Sequence, residues 1–255
     1  MRQTRPFIIL VTVLGLLTSC ASKKDILYMQ DAEAGTSKAI SYTNPTIQPN
    51  DILKITVEST LPEAALPYNK VASNTMTQNL QIMQLDGYLV SKNNTITFPV
   101  LGTIATQGKT TATLAEAIRE QLMEGNHLAD PSVNVRLLNA KVSVLGEVKQ
   151  PGTFTFTEQN ITLMQALGYA GDLTINGKRD DIIVMRELDD EMQIAHINLT
   201  ESSFIDSEFY YIKPNDVIVV NPNNTKVKTA GFIGNAGTVL TIASLALSVT
   251  ILLTR

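Results

Sequence analysis

Most of the chain between residues 46 and 222 consists of short segments in which apolar and polar residues alternate. A period of two is typical of strands that bury one face. Two segments have apolar residues three or four positions apart instead, at about 114–122 and 162–170, and predict helices. The chain is therefore predicted to be α+β. The predicted strands cover 52–57, 87–90, 95–100 with its continuation 101–104, 131–137, 142–148, 153–156, 181–186 and 212–220.

Polar segments between neighbouring strands predict two hairpins. One has its turn at 91–94 and joins strands 87–90 and 95–100, and the other turns at Gln150-Pro151-Gly152. The hydroxyl residues at 110–113 are typical N-caps for the helix that follows them. After the second hairpin come a helix and further strands, an order that matches a β-grasp fold, in which a sheet wraps one helix.

One turn sequence occurs twice, as Pro49-Asn50-Asp51 and as Pro214-Asn215-Asp216, each time before an aliphatic run. Proline suits the first corner of a type II turn, and asparagine tolerates the positive φ of the second corner. The motif therefore predicts a turn that leads into a strand. Its repetition has two interpretations: one turn-and-strand unit used twice, or the general frequency of Pro-Asn-Asp in turns.

The N-terminus has the parts of a secretory signal: basic residues, an apolar run of about eleven residues, and small residues before Cys20. Leu17-Thr18-Ser19-Cys20 resembles a bacterial lipobox, whose cysteine receives a diacylglycerol and an acyl chain. Three acyl chains anchor a protein stably in a membrane. We expect lipidation of Cys20 in preference to an ordinary signal peptide with an incidental cysteine. No aspartate follows Cys20, which favours the outer membrane.

The C-terminal segment 232–253 has no charged residue and is long enough as a helix, roughly 33 Å, to cross a bilayer. One stripe of it is small and polar, and it is formed by Gly237, Thr241, Ser244 and Ser248. The stripe has two interpretations. It faces a pore or a neighbouring helix in an oligomer, or it belongs to a single anchoring helix whose hydroxyls bond to their own backbone.

The composition of the chain argues against several classes of function. The chain of 255 residues has a formal net charge of −4, so no nucleic-acid surface is implied. One cysteine and two histidines cannot supply a cysteine-histidine zinc site, and no cofactor motif is found. Acidic pairs such as Asp180-Asp181 and Asp189-Asp190 are more typical of solvated turns than of glycan-cleaving dyads. His127 and His196 are interpreted as structural. We expect no enzyme, no catalytic residues and no metal.

These signals divide the chain into five predicted parts. They are a lipoprotein signal peptide at 1–19, a lipidated tether at 20–45, a first α+β domain at 46–139, a β-grasp domain at 140–222 and a membrane-spanning or amphipathic helix at 230–255.

Four stretches, in this order, resemble the polysaccharide export outer-membrane protein family, the Wza-like capsule and exopolysaccharide translocons. The resemblance implies a polysaccharide-export domain followed by one soluble-ligand-binding β-grasp domain. Asn50 and Asn215 stand where that family usually has glycine. The four stretches are Pro49–Ile55, Ile96–Gly102, Val144–Val148 with Pro151-Gly152, and Tyr211–Val220.

The resemblance also implies a function and partners. Members form homo-oligomeric rings, often octamers, in the outer membrane of Gram-negative bacteria. Their mostly periplasmic bodies pass polysaccharide outward with an inner-membrane polysaccharide copolymerase, and their terminal helices assemble a pore. A non-channel alternative is a periplasmic lipoprotein that serves as an adaptor or glycan-binding module. A third possibility is a glycan hydrolase.

Overall fold

A computed structural model of the chain describes residues 24, 26–33, 35, 37, 40, 42, 44–70, 80–188, 191–229 and 236–253. Its strands are β1 (Ile52–Glu58), β2 (Tyr88–Leu89), β3 (Thr95–Phe98), β4 (Gly102–Ala105), β5 (Ser132–Leu137), β6 (Lys141–Gly146), β7 (Gly152–Thr155), β8 (Ile161–Thr162), β9 (Gly177–Leu188), β10 (Glu191–Ile197), β11 (Tyr211–Ile212) and β12 (Val217–Pro222). Its α-helices are α1 (Pro62–Ala65), α2 (Leu80–Leu85), α3 (Thr111–Glu124), α4 (Leu163–Tyr169), α5 (Asn224–Thr229) and α6 (Ala236–Leu253). The α+β prediction is confirmed.

The first unit, residues 44–138, is organised around a three-stranded antiparallel sheet. β1 lies in the middle, between β2 and β5. The long helix α3 packs against β5 and covers one face of the sheet. The alternation predicted for β1 and the helical spacing predicted for α3 direct their apolar residues into one core. Its buried side chains include Leu53, Ile55, Val57, Leu114, Ile118 and Leu122.

The pairing predicted for the first hairpin is wrong. β2 pairs with β1, and β3 pairs with β4, so that 101–104 contains the return strand. At the connection the Leu101 amide donates to the Pro99 carbonyl oxygen at 2.7 Å, and Val100 has a φ of +67°. A β-branched residue is among the least expected at positive φ. Pro99 and Gly102 flank this turn, but the sequence does not predict positive φ at Val100.

The two predicted helices begin at reciprocal side-chain caps. At α3 the Thr113 amide donates to Thr110 Oγ1 at 3.2 Å, and the Thr110 amide donates to Thr113 Oγ1 at 2.8 Å. Thr162 and Gln165 form the same pair at α4. Each cap satisfies two amides that the helix itself leaves without partners. α3 has 14 residues, longer than predicted, because its first turn includes the threonines that follow the cap.

The second unit, residues 140–222, is a five-stranded sheet in the order β10-β9-β12-β6-β7. Its first strand, β6, and its last, β12, are parallel neighbours near the centre, and the outer pairs are antiparallel. The helix α4 buries Leu163, Ala166 and Leu167 in the core of the unit. A sheet with central parallel first and last strands around one helix is the β-grasp arrangement expected from the sequence.

The segment that precedes the first unit lies on the second unit. The Tyr28 hydroxyl donates to Asp172 Oδ1 at 2.6 Å, and its ring packs against the β-grasp core. The Arg179 guanidinium lies 5.2 Å from the centre of that ring. The Met29 amide donates to the Leu199 carbonyl oxygen at 3.0 Å. Part of the predicted tether is therefore bound to the β-grasp unit.

The C-terminal segment forms α6, a helix of 18 residues. At 1.5 Å per residue it is about 27 Å long, against a hydrocarbon core of about 30 Å. Within the described residues, no helix combines the length and apolarity needed to cross a membrane. α6 occupies 236–253 of the helix predicted over 230–255, and the rest of that range lies outside the described residues.

Candidate functional site

A groove of about 480 Å³ lies between the two units. β5 and the segment 44–47 line it from the first unit, and 157–159 and Pro214 line it from the second. Asn139, between the units, donates to the Asn50 carbonyl oxygen at 3.0 Å. Small-molecule sites typically have volumes of about 300–1,000 Å³. The groove is therefore large enough to hold a small organic ligand.

The first Pro-Asn-Asp turn lies at the rim of this groove. The Asp51 amide donates to the Gln48 carbonyl oxygen at 3.2 Å, and the Gln48 amide donates to Asp51 Oδ2 at 2.8 Å. Asn50 has a φ of +70°, which asparagine tolerates better than most residues. The aspartate side chain thus closes the turn that its own backbone begins.

The second turn has the same geometry in the second unit. The Asp216 amide donates to the Lys213 carbonyl oxygen at 3.2 Å, and the Lys213 amide donates to Asp216 Oδ2 at 2.8 Å. Asn215 has a φ of +71°. The shared hydrogen bonds favour the interpretation that one turn-and-strand unit is used twice.

Asp51 and Asp216 differ in their charge partners. Asp216 forms a buried ion pair. Arg186 on β9 donates to Asp216 through Nε at 2.9 Å and through Nη2 at 2.7 Å. Both side chains are almost fully buried, at 3% and 1% exposed. Burial raises the pKa of Asp216, and the Arg186 guanidinium opposes that rise. Arg186 also donates to the Tyr211 carbonyl oxygen at 2.9 Å, so the pair connects β9 to the second turn.

Asp51 has no such partner. It is 3% exposed, and within the described residues it forms no ion pair. Burial raises the pKa of Asp51 from 3.8 to about 6, against the effect of the Gln48 amide. Asp51 also lines the groove. The first turn therefore presents a buried carboxyl group without a cation at the boundary between the units.

Two cations line the groove side by side. Lys54 on β1 and Arg136 on β5 are directly opposite each other in the antiparallel register. Both are exposed, and neither forms an ion pair within the described part of the chain. Like charges in directly opposite positions destabilise a sheet. The pair therefore does not contribute to the stability of the fold.

The predicted stripe of α6 bonds to its own helix. Thr241 Oγ1 donates to the Gly237 carbonyl oxygen at 2.6 Å, Ser244 Oγ to that of Thr241 at 2.9 Å, and Ser248 Oγ to that of Ser244 at 2.8 Å. These bonds satisfy all three hydroxyl donors within the helix. Such bonds within the helix are compatible with both interpretations of the stripe.

The outer face of the β-grasp sheet carries apolar residues on four strands. One row of cross-strand partners contains Ile194, Met185, Val217 and the polar Ser143, and the adjacent row contains the exposed His196 followed by Ile183, Val219 and Leu145. Antiparallel sheets with one wet face normally alternate apolar and polar residues. Contiguous exposed apolar surface of this kind marks an interaction site. The apolar residues exposed most on this face are Met192 and Ile194, each at 59%, and Leu145 is 45% exposed.

The remaining candidates are dispersed. Cys20 and Asp189-Asp190 lie outside the described residues. His196 Nδ1 lies 2.5 Å from Asp181 Oδ1 on the exposed face, and this contact, with Lys178, holds the pKa of Asp181 below its usual value. His127 packs edge-on against the Tyr68 ring. Within the described residues, no three histidine, cysteine or acidic residues are grouped as a metal site.

An α+β unit followed by a single β-grasp unit defines a two-domain architecture, and comparison with known families assigns it. The family described as polysaccharide biosynthesis/export protein matches residues 41–138, and the SLBB domain matches residues 141–195. Together the two matches cover more than half of the chain. The first unit matches the polysaccharide export family and the second matches the SLBB domain, so the resemblance that the sequence motifs indicated is confirmed.

Two curated relatives are similar over both units. Both are described as EPS I polysaccharide export outer membrane protein EpsA. The protein from Ralstonia solanacearum is 29% identical over 159 residues, covering 60% of this chain and 41% of the relative. The protein from Ralstonia nicotianae (strain ATCC BAA-1114 / GMI1000) is 28% identical over 187 residues, covering 63% and 47%. The chain therefore spans less than half of the length of each relative that it matches.

Sequence analysis did not identify the groove or the buried pair. Arg186 lies 30 residues from Asp216 in a strand that reads as a simple apolar run. The sequence indicates the buried pair in one way: Arg186 lies on the same face of the strand as Ile182 and Val184, which are core residues. Lys54 and Arg136 each occupy the polar phase of an ordinary alternating strand, and only the register brings them together.

Proposed function

We propose that this chain is the outer-membrane component of a polysaccharide export system and acts as an oligomeric channel, without enzymatic activity. The observation that carries the proposal is the succession of an export domain and an SLBB domain in one chain, with similarity to outer-membrane export proteins across both. The exported polysaccharide is its substrate, and an inner-membrane polysaccharide copolymerase is its partner.

Lipidation attaches the protein to the membrane in this proposal. The lipobox-like sequence supports removal of residues 1–19 and acylation of Cys20, so that the body lies in the periplasm on an outer-membrane anchor. The α6 helices of neighbouring copies associate along Gly237, Thr241, Ser244 and Ser248. Small residues support this because they let helices approach closely.

Assembly into a ring buries the outer face of the β-grasp sheet against a second copy. The apolar rows on β9, β10 and β12 support this, because isolated soluble domains rarely leave such a face in water. The occupant is a second copy rather than another protein, because the face continues to β10, an edge strand that has room for the next subunit.

Replacing Ile194 with lysine is expected to prevent assembly without unfolding the protein. Ile194 is 59% exposed, so a lysine there meets no packed neighbours in the monomer but places a charge in the proposed interface. Native mass in mild detergent should fall from that of a ring to that of a monomer or dimer. Leu61→Lys, at an apolar residue 70% exposed on the first unit, is the matched control and should retain the ring.

Loss of the gene tests the function itself. A deletion strain should retain polymer inside the cell, and complementation with the intact chain should restore extracellular polysaccharide. A non-channel adaptor would instead form a small assembly that never closes into a ring. A monomer or dimer across several detergents would therefore contradict the channel.

A further inference from the structure

We propose that the groove between the two units is a binding site for an acidic sugar residue, whose carboxylate is held by Lys54 and Arg136. The assignment rests on the proposed function, because that sugar would be a unit of the exported polymer. The proposed transport role does not itself require a sugar-binding site. The assignment therefore adds one defined binding site to each copy of the protein.

The positive charge of the groove has no internal use. Lys54 and Arg136 are cross-strand partners that repel each other, and an anion between them would relieve that repulsion. α3 begins at the same groove with Thr111, and its first turn has no acidic residue to neutralise the positive end of the helix dipole. Three sources of positive potential therefore converge on one cleft.

Within the described residues, the two carboxyl groups of the groove form no ion pair with these cations. Glu158 Oε2 accepts the Thr157 amide at 2.9 Å. Asp51 Oδ2 accepts the Gln48 amide, and within the described residues Asp51 forms no ion pair with Lys54 or Arg136. Within the described residues Asp51 Oδ1 has no donor, so it can accept a hydroxyl.

The rest of the lining suits a sugar better than a bare anion. The side-chain amides of Asn134 and Gln159 line the groove, and within the described residues neither is hydrogen-bonded. Amides and a carboxylate oxygen match the hydroxyl groups around a sugar ring. The apolar part of the lining, which matches the C–H face of the ring, is formed by Ile47, Val135, Leu137, Ala140 and Pro214.

Titration calorimetry of the full-length protein in mild detergent tests the assignment. The probes are trigalacturonate, the neutral trisaccharide maltotriose and inorganic phosphate at equal ionic strength. We expect trigalacturonate to bind at least tenfold more tightly than either of the others. Because part of the affinity is electrostatic, it should also fall as salt is raised.

Variants locate the site. Lys54→Gln combined with Arg136→Gln should weaken trigalacturonate binding at least tenfold, whereas Arg136→Lys should retain most of it. Lys92→Gln, at an exposed lysine in the 91–94 turn outside the groove, is the matched control and should bind like the parent. Thermal unfolding of each variant verifies that the fold is intact.

Several results would overturn the assignment. Absence of trigalacturonate binding, equal binding of maltotriose, or equal binding of phosphate would each exclude an acidic-sugar site. If Lys92→Gln lost as much affinity for trigalacturonate as the groove variant, the loss would reflect general surface charge and not a site in the groove. These results would not contradict the proposed export function. That function is tested separately, by extracellular polysaccharide in the complemented deletion strain.

Discussion

Replacing Asp216 with asparagine is expected to destabilise the protein by about 3–5 kcal/mol, because it leaves the buried Arg186 guanidinium without a counter-charge. The asparagine oxygen can still accept the Lys213 amide, so the turn itself is retained. The loss therefore reports the ion pair rather than the turn. It is measured as the free energy of unfolding in urea at neutral pH.

A double-mutant cycle separates the pair from its surroundings. Arg186→Met alone leaves Asp216 buried and unpaired, and the combined variant removes both charges. The combined variant should lose clearly less stability than the sum of the two single losses. A loss below about 1 kcal/mol for Asp216→Asn would mean that water reaches the arginine and that the pair does not hold β9 to the turn.

The same substitution in the first turn should have the opposite sign. Asp51→Asn keeps an acceptor for the Gln48 amide but removes a buried charge that has no cation beside it. We expect a gain of about 2–3 kcal/mol at pH 8, from a pKa that is raised by burial to about 6. Asp216→Asn is its matched control, because the two turns share their geometry and differ in their partners.

The pH dependence of the free energy of unfolding tests the sign of the Asp51→Asn effect independently. The unfolded chain releases the Asp51 proton near pH 3.8 and the folded protein near pH 6, so the folded state binds more protons between these values. The contribution of Asp51 to stability therefore falls as pH rises from about 4 to 6 and is constant above that range. The advantage of Asp51→Asn should be absent below pH 4 and complete above pH 7. An equal advantage at all pH values would contradict this origin.

Local signals in the sequence predicted local structure well. The hydroxyl caps before 114–122, the alternation of β1 and the glycine after 162–170 are each determined within a few residues, and these elements are found. The strand 95–98 was paired with the wrong neighbour because the turn between β3 and β4 has Val100 at positive φ, a conformation that valine rarely adopts. The apolar continuity of the C-terminal segment predicted a helix within 230–255, and α6 occupies 236–253 of that range.

The candidate site depends on contacts that no local pattern contains. The repeated Pro-Asn-Asp motif was visible, yet only the fold shows that Arg186 neutralises one copy and nothing neutralises the other. Lys54 and Arg136 are 82 residues apart and meet through strand register alone. Sequence reasoning therefore reached the family and the turns but not the groove that they border.

The docking of Tyr28 on the β-grasp unit fixes how far the protein can reach from its lipid. With Cys20 acylated as proposed, only seven residues lie between the lipidated cysteine and Tyr28, and the eight steps of chain span at most about 27 Å. α5 and α6 both follow β12, the last strand of the same unit. In the proposed assembly, both membrane-directed ends of the chain therefore belong to the β-grasp unit, and we propose that the export domain lies on the side away from the outer membrane.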